Sequence, residues 1–206
     1  MRKPQTVKAL EDFGRVRLSE SFFMRDFLYS EIAAINGLSN LPDDPDLAIA
    51  AGTVLCETLL EPLQQQFGRL SVRSAYRSPQ VNEFGNLHDL NCSTNAKNYA
   101  GHIWDRRDTQ GRVGATACVV VNRFIPHYQR TGDWEAMAWW VHDHLPYSDM
   151  EFFPRYAAFN LQWREEPIRQ ISSYIPPRRG KLTGPGMENW AGAHETAYAV
   201  MLKELD

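Results

Sequence analysis

The stretch LEPLQQQFGRLSVRSAYRSPQVN, residues 60–82, holds the end of a long helix, a short strand and a turn. Apolar residues recur every four positions from Leu47 to Phe67, and this spacing predicts one helix with a continuous apolar face toward a core. Asp44 is a suitable N-cap for this helix, and Gly68 is a suitable stop. The helix is therefore the element around which the rest of the fold is expected to form.

The second half of that stretch predicts a strand. Leu70, Val72 and Ser74 alternate with polar residues, as in a strand with one face toward the core. The strand is expected to end before Pro79, because proline offers no amide hydrogen to a sheet. For the same reason Pro62 predicts a kink in the preceding helix.

The rest of the chain places helices before strands. The predicted elements outside the quoted stretch are a helix at 18–35, a polar connection at 82–100, a strand at 114–121, a helix at 133–144, strands at 150–154 and 157–163, a Pro/Gly-rich loop at 172–192 and a short final helix. Helices followed by strands, without regular alternation, favour an α+β fold over a doubly wound sheet.

The composition is that of a globular protein, with 206 residues, 43% hydrophobic residues and a net charge of −3. The slightly acidic balance argues against a general nucleic-acid binder. No apolar run reaches about 18 residues, so no membrane span is expected. The basic N-terminus lacks an apolar segment, which predicts synthesis in the cytoplasm without a secretory signal peptide. Three cysteines without a Cys-x-x-Cys pair argue against a disulfide framework.

Residues 60–82 resemble the stretch of M15-type zinc peptidases in which a Leu-Glu-Pro-Leu helix is followed by a strand and a Tyr-Arg-Ser turn. This is the D-alanyl-D-alanine carboxypeptidase group, whose fold is shared with hedgehog signalling domains. The resemblance covers most of residues 18–163 and implies N-terminal helices packed on a small, mostly antiparallel sheet. It also implies a peptidase-like domain at 18–171, an N-terminal extension at 1–17, and a loop and helix at 172–206 packed on that domain.

In the family that the chain resembles, the arginine of the Tyr-Arg-Ser turn binds the carboxylate of the substrate. The resemblance therefore assigns substrate binding to Tyr76, Arg77 and Ser78. A planar guanidinium suits this task, since it donates two parallel hydrogen bonds to a carboxylate. The alternative is that Arg77 only pins its own loop by bonding backbone carbonyls.

The family holds zinc with two histidines and an aspartate, and it uses a glutamate as general base. His102 corresponds to the first ligand, although Ala100 replaces the serine two residues before it. The second part of the motif is displaced, so that Cys118 stands at the aspartate position, and a thiolate is also able to bind zinc. Phe153 stands at the position of the base and Leu161 at that of the third ligand.

The resemblance thus implies a peptidase-like domain that has lost zinc-dependent hydrolysis and needs no cofactor. Such a domain would bind a peptidoglycan peptide at the cell wall, or an assembly partner in a phage-like particle. The alternative is an active zinc D,D-carboxypeptidase or endopeptidase, with His102 and either Cys118 or Asp105 as metal ligands. A small shift of register would then make Glu151 the base.

Other residues leave further interpretations open. The segment GHIWDRRD, residues 101–108, carries Asp105 and Asp108 close to His102. Together with His142 or His144 these carboxylates would rebuild a metal site, and otherwise the segment is a salt-bridged loop.

Two more alternatives concern a cysteine and a pair of tryptophans. Cys118 and His102 would form a thiol nucleophile pair if they met, but the apolar neighbours of Cys118 predict a buried thiol. Trp139 and Trp140 are adjacent on a predicted helix, so one ring is expected to be exposed or to lie at an interface.

Overall fold

The computed structural model describes residues 1–205 and confirms the α+β class. The α-helices within these residues are α1 (Val7–Gly14), α2 (Glu31–Asn36), α3 (Pro45–Leu55), α4 (Glu61–Phe67), α5 (Pro79–Leu87), α6 (Asn95–Asn98), α7 (Ile125–Thr131), α8 (Glu135–His144) and α9 (Glu195–Leu205). The strands are β1 (Leu70–Ser74), β2 (Gly114–Val121), β3 (Asp149–Phe152), β4 (Phe159–Arg164), β5 (Gln170–Ser173) and β6 (Gly180–Thr183). None of these helices is long and apolar enough to cross a membrane.

The six strands form a sheet in the order β1-β2-β4-β3-β5-β6, and this sheet is mixed. β3 runs antiparallel to β4 and parallel to β5, whereas β5 and β6 are antiparallel. β6 lies inside the stretch 172–192, and β5 overlaps its start, so the prediction of a loop there is wrong. Each of these strands has only four residues. Two prolines between them, and Gly180 at the start of β6, hide the alternating pattern that identifies a strand.

The chain forms two compact units. Unit 1 consists of residues 1–57 and 74–117, and unit 2 consists of residues 58–73 and those from 118 onward. Unit 1 contains α1, α2, α3, α5 and α6, whereas unit 2 contains α4, α7, α8, α9 and the strands β3 to β6.

The first residues of the chain are part of the fold of unit 1. Thr6 caps α1 with its side chain, and Phe13 is fully buried. The Lys3 ammonium lies 2.6 Å from a carboxylate oxygen of Asp43. Residues 1–17, described above as an N-terminal extension, therefore contribute to the core of this unit.

The single helix predicted over residues 18–35 is wrong. The structure has a 3-10 turn at Met24–Phe27 and then the separate helix α2. The Ser30 hydroxyl accepts the Ala33 amide hydrogen at 3.3 Å, which allows a new helix to begin at this point. Gly37 ends α2 in the left-handed conformation, with φ of 62°.

The long helix of the sequence analysis is also divided. A π-helical turn at Cys56–Leu60 separates α3 from α4. Pro62 lies in the first turn of α4 and has no amide hydrogen to donate to the turn before it. The wider turn accommodates this missing bond, and Leu55, Leu59 and Leu63 are fully buried as the apolar stripe predicts.

Residues 82–100, predicted to be a polar connection, contain most of α5 and all of α6. Ser78 begins α5, because its hydroxyl accepts the Val81 amide hydrogen at 3.3 Å and Pro79 occupies the first helical position. The many Asn and Ser residues of this stretch are typical of loops, so its two short helices were not predicted. Polar side chains of these helices donate hydrogen bonds to neighbouring backbone carbonyls.

Trp139 and Trp140 are both buried, with 7% and 5% of their surface exposed. The prediction that one of these rings is exposed is therefore wrong. Trp140 meets Phe67 edge-on with ring centroids 4.7 Å apart, and Trp139 stacks on His194 at 4.1 Å. Neighbouring rings face different partners here because α8 is covered on more than one side, one of them by α9.

Asp143 holds the start of α9 to α8. Its Oδ1 lies 2.7 Å from Nδ1 of His194, and its Oδ2 accepts the His194 amide hydrogen at 2.7 Å and the Tyr198 hydroxyl at 3.1 Å. His194 Nε2 lies 3.0 Å from the Asn189 carbonyl, so both ring nitrogens face acceptors. Partial burial favours the neutral carboxyl, but hydrogen bonds from His194 outweigh it and hold the pKa of Asp143 below its usual value.

Asp143→Ala is expected to lower the free energy of unfolding by about 2 kcal/mol near neutral pH, since it removes these hydrogen bonds. The folded pKa of Asp143 is lowered, so its stabilisation is present above the unfolded pKa of about 3.9 and is lost as the pH falls through the folded value. Urea unfolding near neutral pH and at about pH 2 measures both effects. An equal deficit at the two pH values would contradict the prediction, and Glu188→Ala at an exposed residue is the control.

Candidate functional site

Asn40 holds the turn that carries the predicted carboxylate-binding residues in unit 1. Its amide nitrogen donates to the carbonyls of Leu28 and Tyr76 at 2.9 Å each, and its oxygen accepts the Ser78 amide hydrogen at 2.8 Å. The Ser78 hydroxyl, which caps α5, also donates to the Ser39 carbonyl at 3.0 Å. Sequence reasoning missed Asn40, because its partners are distant along the chain and leave no local pattern.

Arg77 is half-buried, and its guanidinium is fixed at one end. Nη1 lies 3.3 Å from Oδ1 of Asn82 and 2.8 Å from Sγ of Cys92. The Arg77 backbone amide donates to the His102 carbonyl at 2.8 Å. Within residues 1–205, Nε and Nη2 of Arg77 have no hydrogen-bond partner. The guanidinium thus contacts side chains, in contrast to the alternative in which it binds backbone carbonyls.

Asp105, a predicted metal ligand, is a buried hydrogen-bond acceptor in unit 1. Its Oδ2 accepts the amide hydrogens of Asp43 and Asp44 at 2.7 and 3.4 Å and a hydrogen from Arg106 Nη1 at 3.1 Å. Its Oδ1 accepts the Tyr76 hydroxyl at 3.1 Å. Burial and the negative charge of Asp105 raise the pKa of Tyr76, so its phenol remains a donor. Both oxygens of Asp105 therefore bind the chain itself.

His102 is buried in the same unit, and its Nδ1 lies 2.7 Å from the Ala75 carbonyl. Donation from Nδ1 leaves the lone pair on Nε2, the arrangement that metal-binding histidines use. His102 and Asp105 belong to unit 1, whereas Cys118 and Glu151 belong to unit 2. In the described part of the chain, residues 1–205, no group of three or more His, Cys, Asp or Glu side chains is placed to hold a metal.

Cys118 lies in β2, all eight residues of which are buried. It forms an apolar cluster with Val120 and Ala158, and Ile125 and Phe153 pack against this cluster. The predicted burial of this thiol is confirmed. Apolar surroundings disfavour the thiolate that a nucleophile or a metal ligand requires.

The two histidines near the end of α8 are engaged by neighbouring groups in unit 2. His142 Nδ1 lies 2.7 Å from the Tyr147 hydroxyl, and Nε2 lies 2.9 Å from the Trp190 carbonyl. His144 Nδ1 lies 2.8 Å from the Trp140 carbonyl. Burial lowers the pKa of His142, so the neutral ring is favoured.

The segment at 101–108 ends in a hydrogen-bonded loop. Asp108 accepts the amide hydrogens of Gln110 and Arg112 at 2.9 and 3.0 Å, and Arg112 Nε donates to it at 2.9 Å. Arg106 Nη2 lies 2.7 Å from a carboxylate oxygen of Asp43. These contacts agree with the interpretation of a salt-bridged loop.

Glu151, the predicted base, lies on a polar face of the sheet in unit 2. Residues directly opposite each other on neighbouring strands share a face. Glu151 stands opposite Asn160 on β4 and Ser172 on β5, and Ser172 stands opposite Lys181 on β6. Asp149, two residues before Glu151, lies on the same face. These five residues are called the polar sheet face.

The two carboxyl groups of the polar sheet face hold their protons more tightly than usual. Burial raises the pKa of Asp149 to about 6 and raises that of Glu151. Hydrogen bonds from Gln170 to Asp149, and from Tyr174 and Asn160 to Glu151, offset part of this effect. Carboxyl groups with raised pKa values are suited to proton transfer near neutral pH.

Comparisons with protein-family models, with curated proteins and with solved structures give no match to this chain. The relationship to the M15-type peptidases therefore remains a proposal. The same holds for the hedgehog/DD-peptidase fold.

Asp149→Asn is expected to remove a pH-dependent loss of stability. The folded pKa of Asp149 is raised above its unfolded value. The stability that this group contributes is therefore fully present below the unfolded pKa of about 3.9 and is lost as the pH rises through about 6. The loss between about pH 4 and pH 8 should be about 2 kcal/mol larger in the wild type than in the variant. Urea unfolding measures it, with Glu166→Gln as the control, and equal pH profiles would contradict the prediction.

Proposed function

We propose that the chain is a non-hydrolytic relative of the M15-type D-alanyl-D-alanine carboxypeptidases that binds the terminal carboxylate of a peptidoglycan peptide. The observation that supports this proposal is the hydrogen bonding of the Arg77 guanidinium. One end of its guanidinium is fixed by two side chains, and the Nε and Nη2 edge has no partner within residues 1–205.

The fixed end orients the edge that binds. A carboxylate bonds a guanidinium side-on through Nε and one terminal nitrogen, which gives two parallel charge-assisted hydrogen bonds. Contacts of Nη1 with Asn82 and Cys92 restrict the side chain before any ligand arrives, so less conformational entropy is lost on binding. The turn itself is held by Asn40 through the Tyr76 carbonyl and the Ser78 amide.

Binding without hydrolysis is supported by the residues that the family uses for chemistry. Phe153 and Leu161 stand at the positions of the base and the third ligand, and neither side chain is able to carry a proton or bind zinc. Both oxygens of Asp105 are bonded within unit 1. Cys118 lies in an apolar cluster.

A second candidate function is the active zinc D,D-peptidase, and the environment of Glu151 favours it. This carboxyl is half-buried, its pKa is raised by burial, and it accepts a hydrogen bond from Asn160. Such a group is suited to act as a general base. His102 and either Cys118 or Asp105 would have to supply the metal ligands.

The binding proposal is tested by titrating the full chain with acetyl-Lys-D-Ala-D-Ala in a calorimeter. Arg77→Gln should weaken binding by at least about tenfold, because charged hydrogen bonds contribute roughly 1.5–3 kcal/mol. Arg73→Gln removes an exposed charge on β1 and is the matched control. The proposal fails if the C-terminal amide of the same peptide binds as well as the acid, or if Arg77→Gln binds like the wild type.

The two candidate functions are separated by metal content and by digestion of purified peptidoglycan. A non-hydrolytic domain should purify without stoichiometric zinc and leave the stem peptides uncut after zinc is added. Cleavage that requires zinc and disappears in Glu151→Gln would overturn the proposal in favour of the peptidase. His102→Ala, checked for folding by circular dichroism, shows whether any bound zinc depends on this residue.

A further inference from the structure

A groove of about 640 Å³ lies within unit 1, apart from the side chain of Arg77. Four residues of α1 line it at helical spacing, namely Val7, Leu10, Glu11 and Gly14. The other lining residues include Leu28, Ala34, Leu38 and Leu41. Its volume and largely apolar surface are those of sites that bind small apolar ligands.

Two apolar side chains of the groove are strongly exposed. Val7 is 81% exposed, and Tyr29 is 63% exposed. Leu10, which also lines the groove, is 41% exposed, whereas Phe13 on the same helix is fully buried. Exposed apolar side chains that line one groove are typical of a binding site.

The polar groups that line the groove are mostly bonded within unit 1. The Ser30 hydroxyl accepts the Ala33 amide hydrogen. The side chain of Asn40 uses both of its amide hydrogens and its oxygen for the Leu28 carbonyl, the Tyr76 carbonyl and the Ser78 amide. An extended peptide would therefore find few hydrogen-bond partners for its amide groups among these side chains. An alkyl chain has no such groups.

One cation lines the groove, and its terminal nitrogens are available. Arg25 Nε donates to the Gly14 carbonyl at 3.2 Å, and a Cβ added to Gly14 would lie 3.3 Å from Cβ of Arg25. Neither Nη1 nor Nη2 of Arg25 has a hydrogen-bond partner among residues 1–205. The carboxylate that lines the groove, that of Glu11, lies 3.8 Å from Arg15.

We propose that this groove binds a fatty acid. The alkyl chain would lie in the groove, and the carboxylate would accept hydrogen bonds from the terminal nitrogens of Arg25. The charge of Arg25 complements the head group, and two charge-assisted hydrogen bonds fix its position. Transfer of the alkyl chain from water to the aliphatic lining supplies most of the affinity. Arg77 does not line this groove, although Asn40, which does, also holds the turn that carries Arg77.

The test is a calorimetric titration of the full chain with dodecanoate below its micellar concentration. One molecule should bind per chain, and Arg25→Gln should weaken binding by about tenfold or more. Lys8→Gln removes an equal charge from α1 at a residue that does not line the groove, and it should bind like the wild type. Ala34→Phe, which fills part of the groove, should weaken binding while the urea unfolding curve shows that the variant is folded.

One amphiphile with an altered head group and one peptide complete the experiment. Dodecyltrimethylammonium, which has the same chain and the opposite charge, should bind at least about tenfold more weakly than dodecanoate. Equal binding of these two amphiphiles, binding of several molecules per chain, or binding unchanged in Arg25→Gln would overturn the proposal. So would tighter, Arg25-dependent binding of acetyl-Leu-Leu-Leu, which would identify a peptide as the occupant.

Discussion

The buried carboxylate of Asp105 is the constraint on which the arrangement of unit 1 depends. It accepts hydrogens from the backbone of Asp43 and Asp44, where α3 begins, and from the hydroxyl of Tyr76, in the turn after β1. An unpaired carboxylate in this position would be strongly destabilising, so these donors must converge for the unit to fold. Since Tyr76 precedes Arg77, the same contacts also fix the place from which the guanidinium extends.

The side chains that were candidates for zinc binding make structural contacts in this chain. Asp105 joins two loops, His102 bonds the Ala75 carbonyl, and Cys118 belongs to an apolar cluster. Arg77 differs from them, because only one end of its guanidinium is engaged within the described residues. We therefore propose recognition of a carboxylate, rather than hydrolysis, for this geometry.

The sequence predictions are accurate where an element depends on interactions between residues close together in the chain, and they fail where it depends on distant residues. The apolar stripe of the long helix and its cap at Asp44 depend on neighbours along the chain, and both are present. The burial of Trp139 and Trp140 depends on α9 and α4, which the stripe of α8 does not reveal. The strands of the 172–192 region form because β3 offers a partner, although their own residues have weak strand patterns.

The sequence by itself determined the α+β class, the start of α3 at Asp44 and the apolar face of the long helix, since caps and periodicity act over one or two turns. Only the tertiary structure decided what the site residues do. Asp105 bonds a residue 62 positions away, and Asn40 bonds Ser78 across 38 positions. A buried polar group takes whichever partner the fold brings to it, and that partner cannot be identified from neighbouring residues.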